Sequence, residues 1–241
     1  MTDPVWPQHF PGGVADAASR YALLRDQQGR LLAVRLDDGH VLWCSEASLL
    51  PLLLGAKHAV GLAVSPPHVV ALALEGTQAG KVACTSAPLP WPAWALTADP
   101  GLVDLDVEAA WLGNDVGLHW HLRKRRTGGA PPGPNQSVRE VADGQCSMDI
   151  ESGSVQALAS WPTRPTGFAQ AEEVADPQVL AQAQLGAQRY RLVAKESAAG
   201  LRTSLVAQDA THGRLLWEQV LGDAPRRPAA ALRPQVGGRA R

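Results

Sequence analysis

Several groups of side chains in this sequence have the types and spacing to do chemistry. His119 and His121, in LHWHLRKRR, are two residues apart, so on a β-strand both imidazoles leave the same face. Two such nitrogens begin a metal site, but zinc takes four protein ligands in a structural site and three in a catalytic one. No third ligand follows at a suitable spacing, and an exposed strand face accounts for the pair better. Asp104, Asp106 and Glu108, in VDLDVEAAWLG, share one face by the same alternation. They have the chemistry of a calcium or acid/base site and equally the geometry of an exposed carboxylate ladder. Glu172 and Glu173 form another acidic pair. Cys44, Cys84 and Cys146 are odd in number and widely spaced, which suits reduced thiols rather than a disulfide framework or a CxxC zinc site.

Arg123, Lys124, Arg125 and Arg126 follow closely on Trp120. Basic residues beside an aromatic ring can hold single-stranded nucleic acid by phosphate contact and base stacking. They can also simply end a strand in solvent and guard its edge. The second reading is favoured, because 22 basic against 23 acidic residues leave a formal net charge of -1 and no recognised nucleic-acid module is present. Arg226, Arg227, Arg233, Arg239 and Arg241 make a basic tail, read as solubilising the end more than docking on an acidic partner. No GxSxG, P-loop, GxGxxG or HExxH pattern occurs, and Pro11-Gly12-Gly13 carries no recognised pattern.

The elements that must position these groups are short strands. The chain has 241 residues, 45% of them apolar, with 23 Gly, 19 Pro and 8 Trp, a composition suited to many strands and turns. Tyr21 to Trp43 reads as three apolar runs separated by DQQG and LDDG turns. Arg189 to Trp217 repeats that plan with ESAAG and ATHG turns. Gly supplies the positive φ such hairpins need. AVRLDDGHVLW, from Ala33 through Gly39 to Trp43, returns as AQDATHGRLLW, from Ala207 through Asp209 and Gly213 to Trp217. Weaker copies surround Gly80, with Cys84 at the Trp position, and Asp149 and Gly153, with Ala157 there. The four glycines are separated by 41, 73 and 60 residues, and a four-stranded propeller blade takes about 40 to 45. The longer intervals imply insertions, one of them the Pro/Gly-rich loop Thr127 to Gln136. Ala171 to Gly186 reads as a short helix as well as it reads as anything else.

The pattern Ala-x-Asp-x-x-x-Gly-basic-x-x-Trp resembles the repeat of quinoprotein-type (PQQ-like) β-propellers, closely at Ala207, Asp209, Gly213, Arg214 and Trp217. It is close at Ala33, Gly39, His40 and Trp43 too, where Arg35 replaces the usual Asp. The resemblance implies a turn built on the Gly and a Trp that docks between blades, a structural use of the motif. It implies for the family's enzymes eight blades, a calcium ion held by Glu and Asn, a catalytic Asp and often a disulfide between adjacent cysteines. None of these is matched, so no cofactor, metal or catalytic residue is expected. Bacterial propellers encoded beside MoxR-type AAA+ ATPases and von Willebrand A proteins are similar in their degenerate, Trp-bearing repeats.

The expected architecture is all-β: a propeller of four to five antiparallel blades over residues 21–222, an N-terminal arm at 1–20, and a disordered basic tail at 223–241. Four blades raise a closure problem, because an open ring leaves faces and strand edges exposed. The ring is small and closed, or it is partial and completed by a second copy or another subunit. The expected function is a non-catalytic scaffold for protein–protein interaction in a cytoplasmic bacterial assembly, using rim loops, with Trp120 and Arg123 to Arg126 as first candidates. Small-molecule binding or catalysis in a central channel is the alternative, and nucleic-acid binding through the Arg123 to Arg126 run a weaker one. No secretory signal or membrane span is recognised, so homo-oligomers or protein partners are expected and membranes are not.

Overall fold

The computed structural model describes residues 3–98, 102–124, 140–164, 176, 178–197 and 200–224. These form four antiparallel sheets, each a meander in chain order. The first comprises β1 (Gln8–Phe10), β2 (Gly13–Ala15), β3 (Tyr21–Arg25), β4 (Arg30–Arg35) and β5 (Val41–Ser48). The second comprises β6 (Leu50–Leu54), β7 (His58–Val64), β8 (Pro67–Ala73) and β9 (Val82–Thr85). A one-turn helix, α1 (Ala93–Thr97), follows. The third comprises β10 (Val103–Leu112), β11 (Asp115–Lys124), β12 (Val141–Asp149) and β13 (Val155–Ala157). The fourth comprises β14 (Val179–Leu185), β15 (Gln188–Ser197), β16 (Gly200–Asp209) and β17 (Leu215–Ala224).

The strand patterns decide how the sheets stack. YALLR, RLLAVR, HAVGLAV and PHVVALA are apolar almost throughout, as strands covered on both faces must be. Ala22, Leu24, Leu32 and Val34 pack with Tyr190, Leu205 and Ala207 of the fourth sheet. The opposite face of the first sheet, Leu23, Leu31 and Ala33, packs with Ala59, Val70 and Leu72 of the second. The second sheet's other face, Leu53, Val60, Leu62 and Val69, packs with Leu118, Trp120, Leu122 and Met148 of the third. The order in space is therefore fourth, first, second, third. Among the described residues no apolar cluster spans the third and fourth sheets. VDLDVEAAWL in β10 and QRYRLVAKES in β15 alternate apolar with charged residues, because each outer sheet has one packed face and one largely charged face, that of the fourth sheet also holding a small buried cluster of Val179, Val193 and Val206.

Two expectations need correction. Residues 8–15, read as part of an arm, are β1 and β2 of the first sheet, with Phe10 and Ala15 fully buried. Pro11-Gly12 is their two-residue turn: Gly12 has φ +81, and a Cβ on Gly13 would lie 1.9 Å from the Leu23 carbonyl oxygen. Val179–Leu185, within the segment for which a short helix was one alternative, is a strand. Its Ala, Leu and Gln favour helix intrinsically, but pairing with Leu192, Arg191 and Tyr190 across β15 overrides that preference.

Leu23 has no solvent exposure, whereas Leu180 on β14 is 58% exposed. Leu23→Ala is therefore expected to lower unfolding free energy by ~2–5 kcal/mol and Leu180→Ala by less than ~0.5. Urea titration followed by circular dichroism measures both, and equal losses would contradict this packing.

Candidate interaction surface

The four turns between third and fourth strands share one hydrogen-bond pattern. Arg35 N–H donates to His40 O and Gly39 N–H to Arg35 O, both at 2.9 Å. Ala73 and Gly80 do the same with Lys81 O and Ala73 O, Asp149 and Gly153 with Ser154 O and Asp149 O, and Asp209 and Gly213 with Arg214 O and Asp209 O. Gly39, Gly80, Gly153 and Gly213 all have positive φ, at 74, 76, 72 and 67°. Ala33 pairs with Trp43, Ala71 with Cys84 and Ala207 with Trp217, each beside a bulge. The third sheet lacks that bulge, and Ala157 pairs with Cys146.

Three of these turns receive the neighbouring sheet. Trp217 lies on the Gly39 turn and its indole N–H donates to Leu36 O at 3.1 Å. A Cβ on Gly39 would stand 2.6 Å from the ring. Trp43, 9% exposed, repeats the contact on the second sheet, where its N–H donates to Leu74 O at 2.9 Å and its side chain abuts Gly80. Cys84 and Thr85 take that place against Gly153, at 3.2 Å for the sulfur and 2.4 Å for the carbonyl oxygen from a built Cβ. The fourth turn has no such contact: nothing lies within 4 Å of a Cβ built on Gly213. The docking thus runs from the fourth sheet to the first, second and third, and stops.

The motif's Asp serves the turn. Asp149 Oδ1 accepts from Ser152 N at 2.6 Å and Ser152 Oγ at 2.7 Å, and Asp209 Oδ1 accepts from His212 N at 2.7 Å. The Ser152 hydroxyl and backbone hold the first carboxyl below the usual carboxylate range, and the His212 N–H holds the second there. In the first sheet Arg35 replaces Asp and instead pairs with Asp37 at 2.8 Å and with Asp38.

The two outer faces carry opposite charge. On the third sheet Asp106 lies opposite His121, Glu108 opposite His119, and His121 opposite Asp143. Arg123 Nε donates to His121 Nε2 at 2.8 Å, which leaves Nδ1 to donate to Asp143 Oδ1 at 3.1 Å. Trp161 folds back over part of this face, its N–H to Glu108 at 3.2 Å and its ring 5.6 Å from His119. Asp104 and Asp106 remain exposed. The fourth sheet's outer face presents Arg189, Arg191, Lys195 and Arg202, with Glu218 opposite Val206 and with Asp223 paired to Arg202 at 3.0 Å. The Nε–H groups of Arg189 and Arg191 reach neither solvent nor an acceptor. These arginines were missed as candidates; the R-Y-R alternation beginning β15 was their only signal.

Trp120 is not an exposed partner of the basic run. It is 4% exposed, packed between the second and third sheets against Gly144, because alternation along β11 sends residue 120 inward and residue 123 outward. Lys124 pairs with Glu140. Arg125 and Arg126 lie outside the described residues, as do Glu172, Glu173 and the basic tail beyond residue 224.

A cleft of about 550 Å³ opens between the first three sheets, lined by Asp16, Arg20, Lys57, His58, Trp111 and Glu151. Asp16 is already occupied, accepting from Arg20 N at 2.6 Å and Tyr21 N at 2.8 Å. Burial, then Lys57, lowers the pKa of His58, which favours its neutral form. Among the described residues no three His, Cys, Asp or Glu side chains are placed to hold a metal ion, and Cys44, Cys84 and Cys146 are separate free thiols. No helix there is long and apolar enough to cross a membrane. No family model matches the chain, and no curated protein matches it.

The turns make two predictions. Gly213→Ala should cost ~1–2 kcal/mol, the left-handed backbone penalty alone, and Gly39→Ala a further ~1–3 for the collision with Trp217; equal denaturation midpoints would contradict the docking. Asp209→Ala should lower the thermal midpoint at neutral pH. Because the folded-state pKa is depressed, this contribution is present above the ordinary carboxylate pKa and lost as pH falls through the depressed value. The difference from wild type should therefore close on acidification, and one constant with pH would rule the turn carboxylate out.

Proposed function

We propose that the chain is a non-catalytic β-propeller module. Its four sheets act as blades of a partial ring, and its work is to hold another protein within a cytoplasmic bacterial assembly. The observation that carries this reading is the interrupted docking series. Four sheets meet in series at three such turns, while the turn at Gly213 and the outer faces of the third and fourth sheets are left without a sheet against them among the described residues. A sheet face that can be packed by its neighbours' device and is not is a ready surface for another chain.

Polar rather than apolar outer faces favour a partner that can come and go, since the chain also has to remain dispersed without it. Catalysis in the cleft has less support: its buried carboxylate is committed to the backbone. Nucleic-acid binding loses its aromatic platform with Trp120 in the core.

The test is affinity purification of the full chain from its native host, followed by sedimentation and mass spectrometry. The expected result is a stoichiometric protein complex, either with itself or with another chain, heavier than the 25.5 kDa monomer. A monomer that retains no protein, or one that carries bound metal or a quinone absorbance, would overturn the reading.

A further inference from the structure

The interrupted series has two ends, and both are on this chain. One is the outer face of the third sheet, beyond which Ala157 meets no glycine turn of a next sheet. The other is the outer face of the fourth, whose Gly213 turn has open space around it. We infer that these two faces are the halves of a single contact made with a second copy of this chain, the third sheet of one copy lying on the fourth sheet of the other. This inference rests on the reading of the chain as an interaction module and names its partner.

Charge is the first argument. The third sheet's outer face presents Asp104, Asp106 and Asp143 around His121 and Arg123, and the fourth sheet's presents Arg189, Arg191 and Lys195 beside the Arg202–Asp223 pair. Asp104 also has a partner, Asp143 accepts from His121 and Glu108 from Trp161, which leaves Asp106 as the acid most open to a second chain; among the described residues Glu218 and Asp223 are the acids on the basic face. Oppositely charged surfaces steer association and set register, and they repel like faces, so third-on-third and fourth-on-fourth pairing are disfavoured.

Unmet hydrogen bonding is the second. Arg189 and Arg191 have no acceptor for their Nε–H groups among the described residues, so no carboxylate of the chain already claims them there. A carboxylate such as Asp106 arriving from another copy would meet the outer Nη groups of these side chains, and a carboxylate is the acceptor a guanidinium group pairs with best.

Closure and area are the third. Two copies related by a two-fold axis make the contact twice and leave no end free. A sheet face of four strands spaced ~4.8 Å and about 30 Å long offers on the order of 500 Å². With Trp161 already over part of the third sheet's face, two reciprocal contacts bury less than roughly 2,000 Å² in total, within the range typical of specific interfaces.

Sedimentation of the purified full chain at low and high salt tests this with two charge-reversed variants, Asp106→Lys/Asp143→Lys and Arg189→Glu/Arg191→Glu. Their folding is checked by circular dichroism and thermal midpoint. Wild type should be dimeric at low salt and bind ~100-fold more weakly at high salt, and each variant alone should be weakened ~100-fold. An equimolar mixture of the two variants should recover the dimer, since each then offers the other a complementary face in both contacts. Dimers that persist in either variant, or a mixture of folded variants that stays monomeric, would overturn the inference. So would a monomeric wild type from which truncation after Ala224 releases a dimer, the mark of the chain's own basic tail on the acidic face. A monomer that holds a different protein would overturn the inference and leave the module reading standing; a monomer that holds none would sink both.

Discussion

The docking of one sheet's fourth strand onto the next sheet's glycine turn is the interaction on which the rest of this structure depends. At Gly39 it needs three things together: a backbone with positive φ, no Cβ in the way of Trp217, and a carbonyl, Leu36 O, turned to take the indole N–H. Burying an indole N–H without an acceptor is costly, so a turn that presents one favours the ring's position. Trp43 meets the same requirements at Gly80 and Leu74 O. Truncating such a ring removes a few kcal/mol, a large part of a domain's net stability. Cys84 fills the place with a smaller group, and the second and third sheets lean instead on a broad apolar interface and on Trp111, whose N–H donates to Leu54 O at 3.1 Å from the opposite side. Each contact places the next sheet, and with it the faces left over at the ends.

Those end faces follow from strand chemistry. A sheet between two others must be apolar on both sides, and β3, β4, β7 and β8 are. An end sheet without a partner must be polar outside, and β10, β11 and β15 alternate accordingly. The outward positions of the third sheet hold mostly acids and those of the fourth mostly bases. Solubility of the single chain and a salt-sensitive contact between chains are compatible, because charged faces cost little to leave in water and gain modestly on pairing.

Much of the sheet plan is legible in the sequence, since it resides in local signals. The runs and turns from Tyr21 to Trp43 and from Arg189 to Trp217 lie where β3 to β5 and β15 to β17 are found, and the shared faces of Asp104, Asp106 and Glu108 and of His119 and His121 are those of paired strands. What was illegible is what depends on distant chain. Pro11-Gly12 makes a hairpin because Phe10 and Ala15 find burial against residues some 175 positions away, such as Tyr190. VLAQAQL becomes a strand because β15 is there to pair with it. Trp120 looked available beside the basic run, but which face of β11 is covered is settled by the second sheet, and that sheet covers it. The packing of the fourth sheet on the first is a property of the whole chain and of no segment.

The central claim is that the third and fourth sheets of one chain do not meet and those of two chains do. Disulfide trapping with Gln156→Cys and Thr211→Cys in a Cys44→Ser background, performed on a mixture of isotopically light and heavy protein and mapped by mass spectrometry, addresses it directly. The account predicts a link between the two introduced positions joining light to heavy chains. A link confined within single chains would mean the ring closes on itself, and would contradict it.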